Sequence, residues 1–460
     1  MKYRKRINKL LMKKLFLLLC IGLTLFLNAC SKEDSPMTST LATPVANPAT
    51  EITETSFKAK WNFVSSAQNY LLDVSLSPDF TDFVENYNAK SVDDLNDVVS
   101  NLASGTPYYY RVRAQRGTEK SNYSNVISVI TAGTFVDPNT PLKVKAANNF
   151  FVGAAVSSNR LAGAYNTLIT TEFSSVTAEN EMKMESIFAG PTTYNWTQAD
   201  AIVNYAIANN INVHGHALVW HGSVPSWMNS YTGTDAEFEQ MIHDYITAVV
   251  TRYAGKVTSW DVVNEAIDDG GGTRNTIFLQ KMGPDYIAKC FQWARDADPN
   301  VLLFYNDYNT STDITKQNDV YALIDNLKTN NVPIDGVGLQ MHIRYDSPTR
   351  QQLQTDVDKV LARNLKLHFS ELDVRANSND SQVLTTLTAE RALAQKLKYR
   401  EVVEVYNAIP ATYKYAITVW GLKDNESWIL NQYNRIDWPL LFDSSFNRKL
   451  THTGFLEGLE

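Results

Sequence analysis

Hydrophobic and polar positions alternate in one pattern between residues 43 and 133 and in a different pattern from residue 143 to the end of the sequence. Between residues 43 and 133, short runs such as SFKAKWNF and YYYRVRAQ alternate apolar and polar side chains. Turn-forming clusters separate these runs at intervals of roughly 8–12 residues, which predicts a small all-β sandwich. The segment holds no cluster of acids or histidines, so we expect a spacer domain.

From residue 143 to residue 460, short apolar runs alternate with helix-period stretches. Eight such alternations predict an α/β fold, a (β/α)8 TIM barrel, rather than an open doubly wound sheet. In such barrels the active site lies at the carboxyl ends of the strands, so the residues at those ends are the candidates for chemistry. The predicted strands cover residues 150–156, 173–179, 212–220, 257–265, 301–307, 335–342, 365–371 and 415–421.

The first 29 residues show a third pattern, in which seven Lys or Arg precede the apolar run Leu15–Leu27. That order predicts a signal peptide, since the run is short for a membrane span. The run ends in Leu27-Asn-Ala-Cys30, which resembles a bacterial lipobox, and an acidic SKED segment follows. The resemblance implies that Cys30 is lipidated and that the protein is anchored in the outer membrane and exposed at the cell surface. A plain secretory signal is the alternative. The small, polar, Pro-containing sequence SPMTSTLATPV predicts a tether, which we assign to residues 30–42.

Charge and cysteine content narrow the possible partners. The formal net charge is −7, and without the basic leader 35 basic residues face 49 acidic ones, which argues against nucleic acid. Three cysteines exclude a disulfide framework and a cysteine-based zinc cluster, and Cys290 reads as a buried thiol. No GxGxxG follows a strand and no GxxxxGK[ST] occurs, so we expect no cofactor.

Carboxylates, amides, imidazoles and indoles dominate the predicted strand ends. Such a mouth suits a polyhydroxylated ligand, because amides and acids bind hydroxyls while indole faces stack on sugar rings. Two glutamates, at the ends of strands four and seven, could face each other as glycosidic cleavage requires. Five histidines lie on strands without an HExxH or comparable set, so no metal site is predicted. The candidates are Glu179, Asn180, Lys183, His216, Trp220, His221, Asn264, Glu265, Tyr308, Gln340, His342, Glu371, Asp373, Trp420 and Trp428.

Residues 143–460 resemble glycoside hydrolase family 10, the retaining endo-β-1,4-xylanases. The segments that carry the resemblance are FFVGAAV, TAENEMK, HGHALVWH, WDVVNEA, YNDYN, GVGLQMH, SELDV and TVWGLKDNESW. The resemblance implies that Glu265 is the acid/base and Glu371 the nucleophile. It also implies that Asn264 binds the 2-hydroxyl of the sugar, and that His342, backed by Asp373, keeps the nucleophile ionised.

The same resemblance implies which residues contact substrate, with xylan and xylo-oligosaccharides as the ligands and a monomer as the expected state. Tyr308 matches a platform on the leaving-group side. We also expect Trp260 and Gln340 to bury Glu265 in part and so to favour its protonated form. His221, beside Trp220 at the third strand end, is a further candidate for substrate contact. The residues that match positions lining the glycone subsites are Glu179, Asn180, Lys183, His216, Trp220, Gln340, Trp420 and Trp428.

Two alternatives remain at this point. A β-1,4-glucanase with a similar barrel would favour carboxymethylcellulose over xylan, and a non-catalytic surface glycan-binding lipoprotein would release no sugar.

The segment LASGTPY followed by YYRVRA resembles the tyrosine corner of a fibronectin type III domain. That resemblance implies an immunoglobulin-like topology for residues 43–133. Trp61 and Tyr70 lie where that family places its core aromatics, so we expect both to pack in the core, with a sugar-binding role for Trp61 as the alternative.

Overall fold

The computed structural model describes residues 40–377 and 383–460 of the chain. They form two compact units, one of residues 40–100 and 107–131 and one of residues 101–106 and 132–460. The predicted signal peptide, Cys30 and most of the predicted tether lie outside the described residues. In the part that is described, no helix is both long and apolar enough to cross a membrane.

The first unit is built from two antiparallel sheets, one in the order β1–β2–β5 and one in the order β4–β3–β6–β7 with β8 beside β6. Burial alternates along β6, as expected for a strand with one face in the core. Trp61 and Tyr70 are buried with their ring centroids 5.7 Å apart, as predicted. The strands are β1 Ala46–Thr50, β2 Ser56–Trp61, β3 Asn69–Ser75, β4 Lys90–Val92, β5 Asn96–Ser100, β6 Pro107–Arg116, β7 Glu119–Lys120 and β8 Ile127–Ile130.

The second unit is a closed parallel barrel. Its strands follow the order β13–β10–β9–β19–β18–β17–β16–β15–β14, and β13 also pairs with β15, which closes the ring. The strands β11 and β12 form a separate hairpin. The strands are β9 Phe151–Val156, β10 Ser175–Ala178, β11 Phe188–Gly190, β12 Thr193–Tyr194, β13 Asn212–Gly215, β14 Val219–Trp220, β15 Ser259–Asn264, β16 Leu302–Tyr308, β17 Gly336–Arg344, β18 Lys366–Arg375 and β19 Lys414–Val419.

Helices alternate with the barrel strands and cover them with their apolar sides. The longest, α5 and α10, have 19 residues each, and α5 begins with a capping box of Thr234 and Glu237. The helices are α1 Leu142–Lys145, α2 Ala164–Glu172, α3 Met184–Ile187, α4 Thr197–Ala208, α5 Asp235–Tyr253, α6 Ile277–Met282, α7 Tyr286–Ala297, α8 Ile314–Thr329, α9 Arg350–Leu361, α10 Ala389–Asn407, α11 Trp428–Gln432 and α12 Leu450–Glu457. Cys290 on α7 is buried, as predicted.

The third predicted strand, residues 212–220, is split into β13 and β14. Both pieces pair with β15, and between them the Leu218 amide donates to the Asp261 carbonyl at 3.0 Å. The interruption therefore leaves the strand in its place in the ring. It puts His216 at the inner side of the mouth, where the ring meets the Asp261 carboxylate.

Trp260 lies on the outer, helix-facing side of β15. Its ring is fully buried, 6.3 Å between centroids from Tyr253 of α5. A Cβ at Gly215 would overlap that ring, so the neighbouring strand needs a glycine there. The expectation that Trp260 shields Glu265 is therefore wrong, because consecutive strand residues point to opposite faces and Asp261 occupies the inner one.

Candidate active site

Glu371, on β18, has both carboxylate oxygens occupied by donors. The Asn306 amide nitrogen donates to Oε1 at 2.8 Å, and His342 Nε2 donates to Oε2 at 3.0 Å. Burial by itself would raise the pKa of Glu371. The hydrogen bond from His342 and the positive charges of His216, His342 and Lys183 outweigh burial and leave the pKa below its usual value. Glu371 is therefore a fixed, ionised carboxylate.

His342 is charged because two carboxylates flank it. Its Nδ1 donates to Asp373 Oδ2 at 2.8 Å, while Nε2 donates to Glu371. Burial would lower the pKa of His342, but Asp373 and then Glu371 raise it to about 10. The indole N–H of Trp428 donates to the same Asp373 oxygen at 2.9 Å. Asp373 thus orients both the imidazolium and an aromatic wall of the mouth.

Glu265, directly after β15, accepts hydrogen bonds on both oxygens. Trp220 Nε1 donates to Oε2 at 2.7 Å, and Gln340 Nε2 donates to Oε1 at 3.0 Å. Asn264 Nδ2 lies 3.3 Å from Oε1. The half-buried carboxyl is therefore walled by Trp220 and Gln340.

Asn306 on β16 links the surroundings of the two glutamates. Its amide nitrogen donates to Glu371 and, at 2.9 Å, to the side-chain oxygen of Asn264. The Ser370 hydroxyl donates to the Asn306 oxygen at 2.6 Å, which fixes the amide orientation. A Cβ at Gly338 would overlap that oxygen. The sequence places Asn306 at a strand end but gives no sign of this bridging position.

Both glutamates have left-handed backbone conformations, with φ 56° at Glu265 and 57° at Glu371. Non-glycine residues rarely adopt such angles, which cost of the order of 1–3 kcal/mol each and cluster at functional sites. Both lie beside register shifts of the barrel, near the shift between Asp261 and Val263 and within that between Phe369 and Leu372. The irregular backbone turns each carboxylate into the mouth.

Five of the predicted substrate-binding residues gather on one side of the mouth. The Lys183 ammonium donates to the Asn180 side chain at 3.2 Å and lies 4.7 Å from the Trp220 ring centroid. Burial lowers the pKa of Lys183 against the pull of Glu371 and Glu179. Burial raises the pKa of Glu179. Glu179 and Asn180 line a cavity of about 530 Å³ together with Trp428.

His216 and Trp420 pack against each other at the mouth, next to His342. The rings of Trp420 lie 5.3 Å from His216 and 6.2 Å from His342 between centroids. Asp261 holds His216 Nδ1 at 2.8 Å and also lies 3.0 Å from His214 Nε2. Asp261 is fully buried, yet the two histidines keep its pKa low. Sequence reasoning missed Asp261, because a lone acid in an apolar strand does not reveal its partners.

Tyr308 stands on the opposite side, where its ring is fixed from several directions. The Lys316 ammonium, fully buried, lies 3.2 Å from the ring centroid and 3.0 Å from Asp307 Oδ1. The Tyr308 hydroxyl donates to Asp269, and Arg274 donates to that hydroxyl at 3.1 Å. One face of the ring is therefore covered, and only the other can stack on a sugar. Sequence reasoning did not predict the roles of Lys316 and Arg274.

His221 follows Trp220 with their ring centroids 5.9 Å apart. Burial and the charge of Arg274 lower its pKa, while Glu265 opposes them, so the ring is neutral near pH 7. Across the described ranges, no three His, Cys, Asp or Glu side chains are grouped so that they could hold a metal ion. Of the predicted site residues, the structure places all but Cys30 around one barrel mouth, with Tyr308 and His221 on the side away from Glu179.

The sequence and the fold have counterparts among known proteins. Endo-1,4-beta-xylanase A of Cellvibrio japonicus is 36% identical over 342 residues, which cover 68% of this chain and 55% of that protein. The chain thus spans about half the length of that relative. Endo-1,4-beta-xylanase B of Paenibacillus barcinonensis is 36% identical over 318 residues, 67% of this chain and 95% of the relative.

Solved structures agree in fold. The GH10 structure from Paenibacillus barcinonensis matches with a TM-score of 0.67 and 33% identity, and the match covers 69% of this chain and 97% of that one. The model of the family described as glycosyl hydrolase family 10 matches residues 141–457, which is well over half of the chain. These residues include the whole barrel and both glutamates. The chain belongs to glycosyl hydrolase family 10.

Proposed function

We propose that the barrel is a retaining endo-1,4-β-xylanase that hydrolyses internal β-1,4-xylosidic bonds in xylan and xylo-oligosaccharides. The observation that carries the proposal is the contrast between two carboxyls at one mouth. Glu371 is ionised and accepts hydrogen bonds from Asn306 and His342. The Glu265 carboxyl accepts from the uncharged Trp220 and Gln340, and no cation among the described residues is bonded to it. Membership of the family and the xylanase names of the relatives support it.

In the first step, a Glu371 oxygen attacks the anomeric carbon of the bound xylose. The new ester bond forms as the glycosidic C–O bond breaks, and the leaving oxygen takes the proton of Glu265. Asn264 uses its side-chain oxygen to accept from Asn306 and Gln340. Its amide nitrogen donates one hydrogen to Glu265 at 3.3 Å and has the second hydrogen left to donate to the sugar 2-hydroxyl.

In the second step, a water molecule attacks the same carbon from the side that the leaving group has vacated. Glu265, now a carboxylate, takes the proton of the water, and the bond to Glu371 breaks. Both carboxyls return to their starting states. Two inversions at one carbon give net retention, and the released xylose unit keeps the β configuration.

The aromatic walls favour xylose over glucose. Trp420 lies against His216 and His342, and Trp428 is fixed by its hydrogen bond to Asp373. Neither ring can move without breaking contacts around the nucleophile. A hydroxymethyl group on the sugar would clash with such walls or leave its hydroxyl unpaired, whereas xylose has none.

The test is hydrolysis of linear xylan followed by NMR of the first-formed anomer. We expect the β anomer first, loss of turnover in Glu371→Ala, and wild-type rates in the exposed control Glu390→Ala. A ligand-bound crystal structure should show carboxyl groups about 5–5.5 Å apart, against roughly 6.5–9.5 Å for an inverting enzyme. An α anomer first would refute the mechanism. Faster hydrolysis of carboxymethylcellulose would indicate a glucanase, and no sugar release would indicate a glycan-binding protein.

We further propose that the mature protein begins at acylated Cys30 and is anchored in the outer membrane, facing outwards. The Leu27-Asn-Ala-Cys30 sequence and the acidic segment after it support this. Cys30→Ser should release the enzyme into the soluble fraction, while Cys290→Ser, at a buried thiol, should not. Cys30→Ser partitioning with the membrane would refute the anchor.

The first unit is proposed to be a fibronectin type III-like spacer. Its two antiparallel sheets and buried Trp61–Tyr70 pair support a sandwich core, and the Trp61 ring is used for packing rather than left free to bind sugar. Deleting residues 43–133 should leave kcat on soluble xylo-oligosaccharides within about twofold. A tenfold loss would show that this unit contributes to the site or to barrel stability.

A further inference from the structure

A second cavity, of about 220 Å³, opens beside His342 and Gln340. It lies between the segment after β16, the end of β17 and the end of β18, so it borders the residues that touch both glutamates. Three of its lining residues are cationic and none is acidic, although the chain as a whole is acidic. The lining residues are Asn309, Thr310, Ser311, Thr312, Gln340, Met341, His342, Ile343, Arg344, Ser347, Pro348 and Arg375.

The two arginines of this cavity are neighbours with donors to spare. Arg344 and Arg375 are paired in register on β17 and β18. The Arg375 guanidinium lies 4.4 Å from the Tyr433 ring centroid and has no hydrogen bond or ion pair with any described residue. Arg344 donates from Nε to Asp346 at 3.0 Å, and its terminal nitrogens have no partner within the described ranges.

The acids that surround the cavity are already engaged. Asp356 accepts hydrogen bonds from the hydroxyls of Thr310 and Ser311 behind the cavity wall. Glu371 and Asp373 are both bonded to the His342 ring. Asp346 offsets part of the charge of Arg344 only. Among the described residues the balance of charge at the cavity is therefore positive, and no described carboxylate is paired with the Arg375 guanidinium.

We propose that this cavity binds the carboxylate of a hexuronic acid substituent carried by the xylan chain, an inference that rests on the proposed xylanase function. Planar guanidinium groups match carboxylates in geometry as well as charge. A volume of 220 Å³ holds about seven waters at about 30 Å³ each, which is room for one sugar ring. The bordering His342 and Gln340 place the substituent on a sugar close to the bond that is cleaved.

The experiment compares two substrates that differ only in the charged group. One is a xylo-oligosaccharide with a single glucuronic acid branch, and the other is the same molecule with its carboxyl reduced to an alcohol. For the wild type we expect kcat/KM about tenfold higher on the acid, the advantage that one charge-assisted hydrogen bond supplies. That ratio should fall as salt is added.

In Arg375→Met and Arg344→Met, the ratio should fall towards one, whereas Arg375→Lys should keep part of it. Arg363→Met, at an arginine paired with Asp325 and absent from the cavity lining, is the matched control and should keep the full ratio. The ratio cancels any loss of activity that comes from misfolding. Calorimetry with inactive Glu371→Ala gives the same comparison as a ratio of Kd values, without turnover.

A wild-type ratio near one, or a ratio that the methionine variants leave unchanged, would overturn the inference. Hydrolysis of unsubstituted xylohexaose is measured in parallel. If the wild type fails to cleave it, the proposed function fails. The calorimetric ratio still decides whether the cavity recognises the carboxylate.

Discussion

Replacing His342 by glutamine tests whether a charged imidazole keeps the nucleophile ionised. Glutamine can still donate to Glu371 but carries no charge. The ring nitrogen lies 3.0 Å from the carboxylate, where a unit charge is worth roughly 5 kcal/mol at an effective dielectric constant of about 20. Burial offsets most of that attraction. We expect the pKa of Glu371 to rise by about 1–2 pH units, which corresponds to about 1.4–2.7 kcal/mol.

The assay is kcat/KM on xylohexaose as a function of pH, because its acid limb reports the ionisation of the nucleophile in the free enzyme. The limb should move to higher pH in His342→Gln. The control is His243→Gln, since His243 also lies beside an aspartate, at 3.0 Å from Asp244, but on an exposed helix. An acid limb within about 0.3 pH units of the wild type would refute the reasoning, provided that the variant is folded.

Stability separates the charge effect from damage to the fold. Removing one partner of a buried pair costs roughly 3–5 kcal/mol, and His342→Gln leaves Asp373 without its cation. In His342→Gln/Asp373→Asn the amide nitrogen can take the place of Asp373 Oδ1, which accepts no hydrogen bond from the described residues. The double variant should regain stability in urea unfolding and keep the shifted acid limb.

The pH dependence of wild-type stability has a definite sign at this pair. Folding lowers the pKa of Glu371, so its contribution is present above about pH 4.5 and is lost as the pH falls through the folded value. The pKa of His342 is raised to about 10. Its contribution is complete below about pH 6.5 and is lost as the pH rises through 10. Urea midpoints across pH measure both limits.

The remaining predictions concern the acid/base, the bridging amide and the platform. Glu265→Ala should lose at least about 10³-fold in kcat/KM on xylan but far less on activated aryl glycosides, whose leaving groups need no proton. Added azide should restore the second step of the variant. Equal losses on both substrates would contradict the acid role. Gly338→Ala should push Asn306 from Glu371 and lower kcat about tenfold or more with little change in KM, whereas an unchanged kcat would mean that the amide is dispensable. Lys316→Met should raise KM on long oligosaccharides more than on aryl xylosides, because Tyr308 loses the cation beneath it; equal changes would argue against a platform.

Strand positions were predictable because both faces of a barrel strand are buried and the runs read as apolar. The strand predicted at residues 335–342 is observed as Gly336–Arg344, and the strand predicted at residues 365–371 is observed as Lys366–Arg375. The split of residues 212–220 was not predictable, since it depends on which neighbour receives the Leu218 amide. Local sequence does not specify that partner.

The residues at the mouth were predictable by type but not by partner. Glu265 and Glu371 stand out as acids at strand ends, whereas Asp261 and Lys316 read as ordinary strand and helix residues. Their roles arise from neighbours 45 residues away, at His216, and nine residues away, at Asp307. The predicted position of Trp260 was wrong. Side chains alternate along a strand, so Trp260 and Asp261 had to point to opposite faces of β15.

The left-handed backbone at Glu265 and Glu371 makes the catalytic positions places where thermostability and activity compete. Glycine adopts that conformation without steric cost, so Glu371→Gly would relieve the backbone there and also remove a buried charge. Selection for heat resistance alone would therefore favour substitutions that remove the nucleophile. A directed-evolution screen on this scaffold should therefore measure turnover in every round, because selection for stability alone would accept stabilised variants that are inactive.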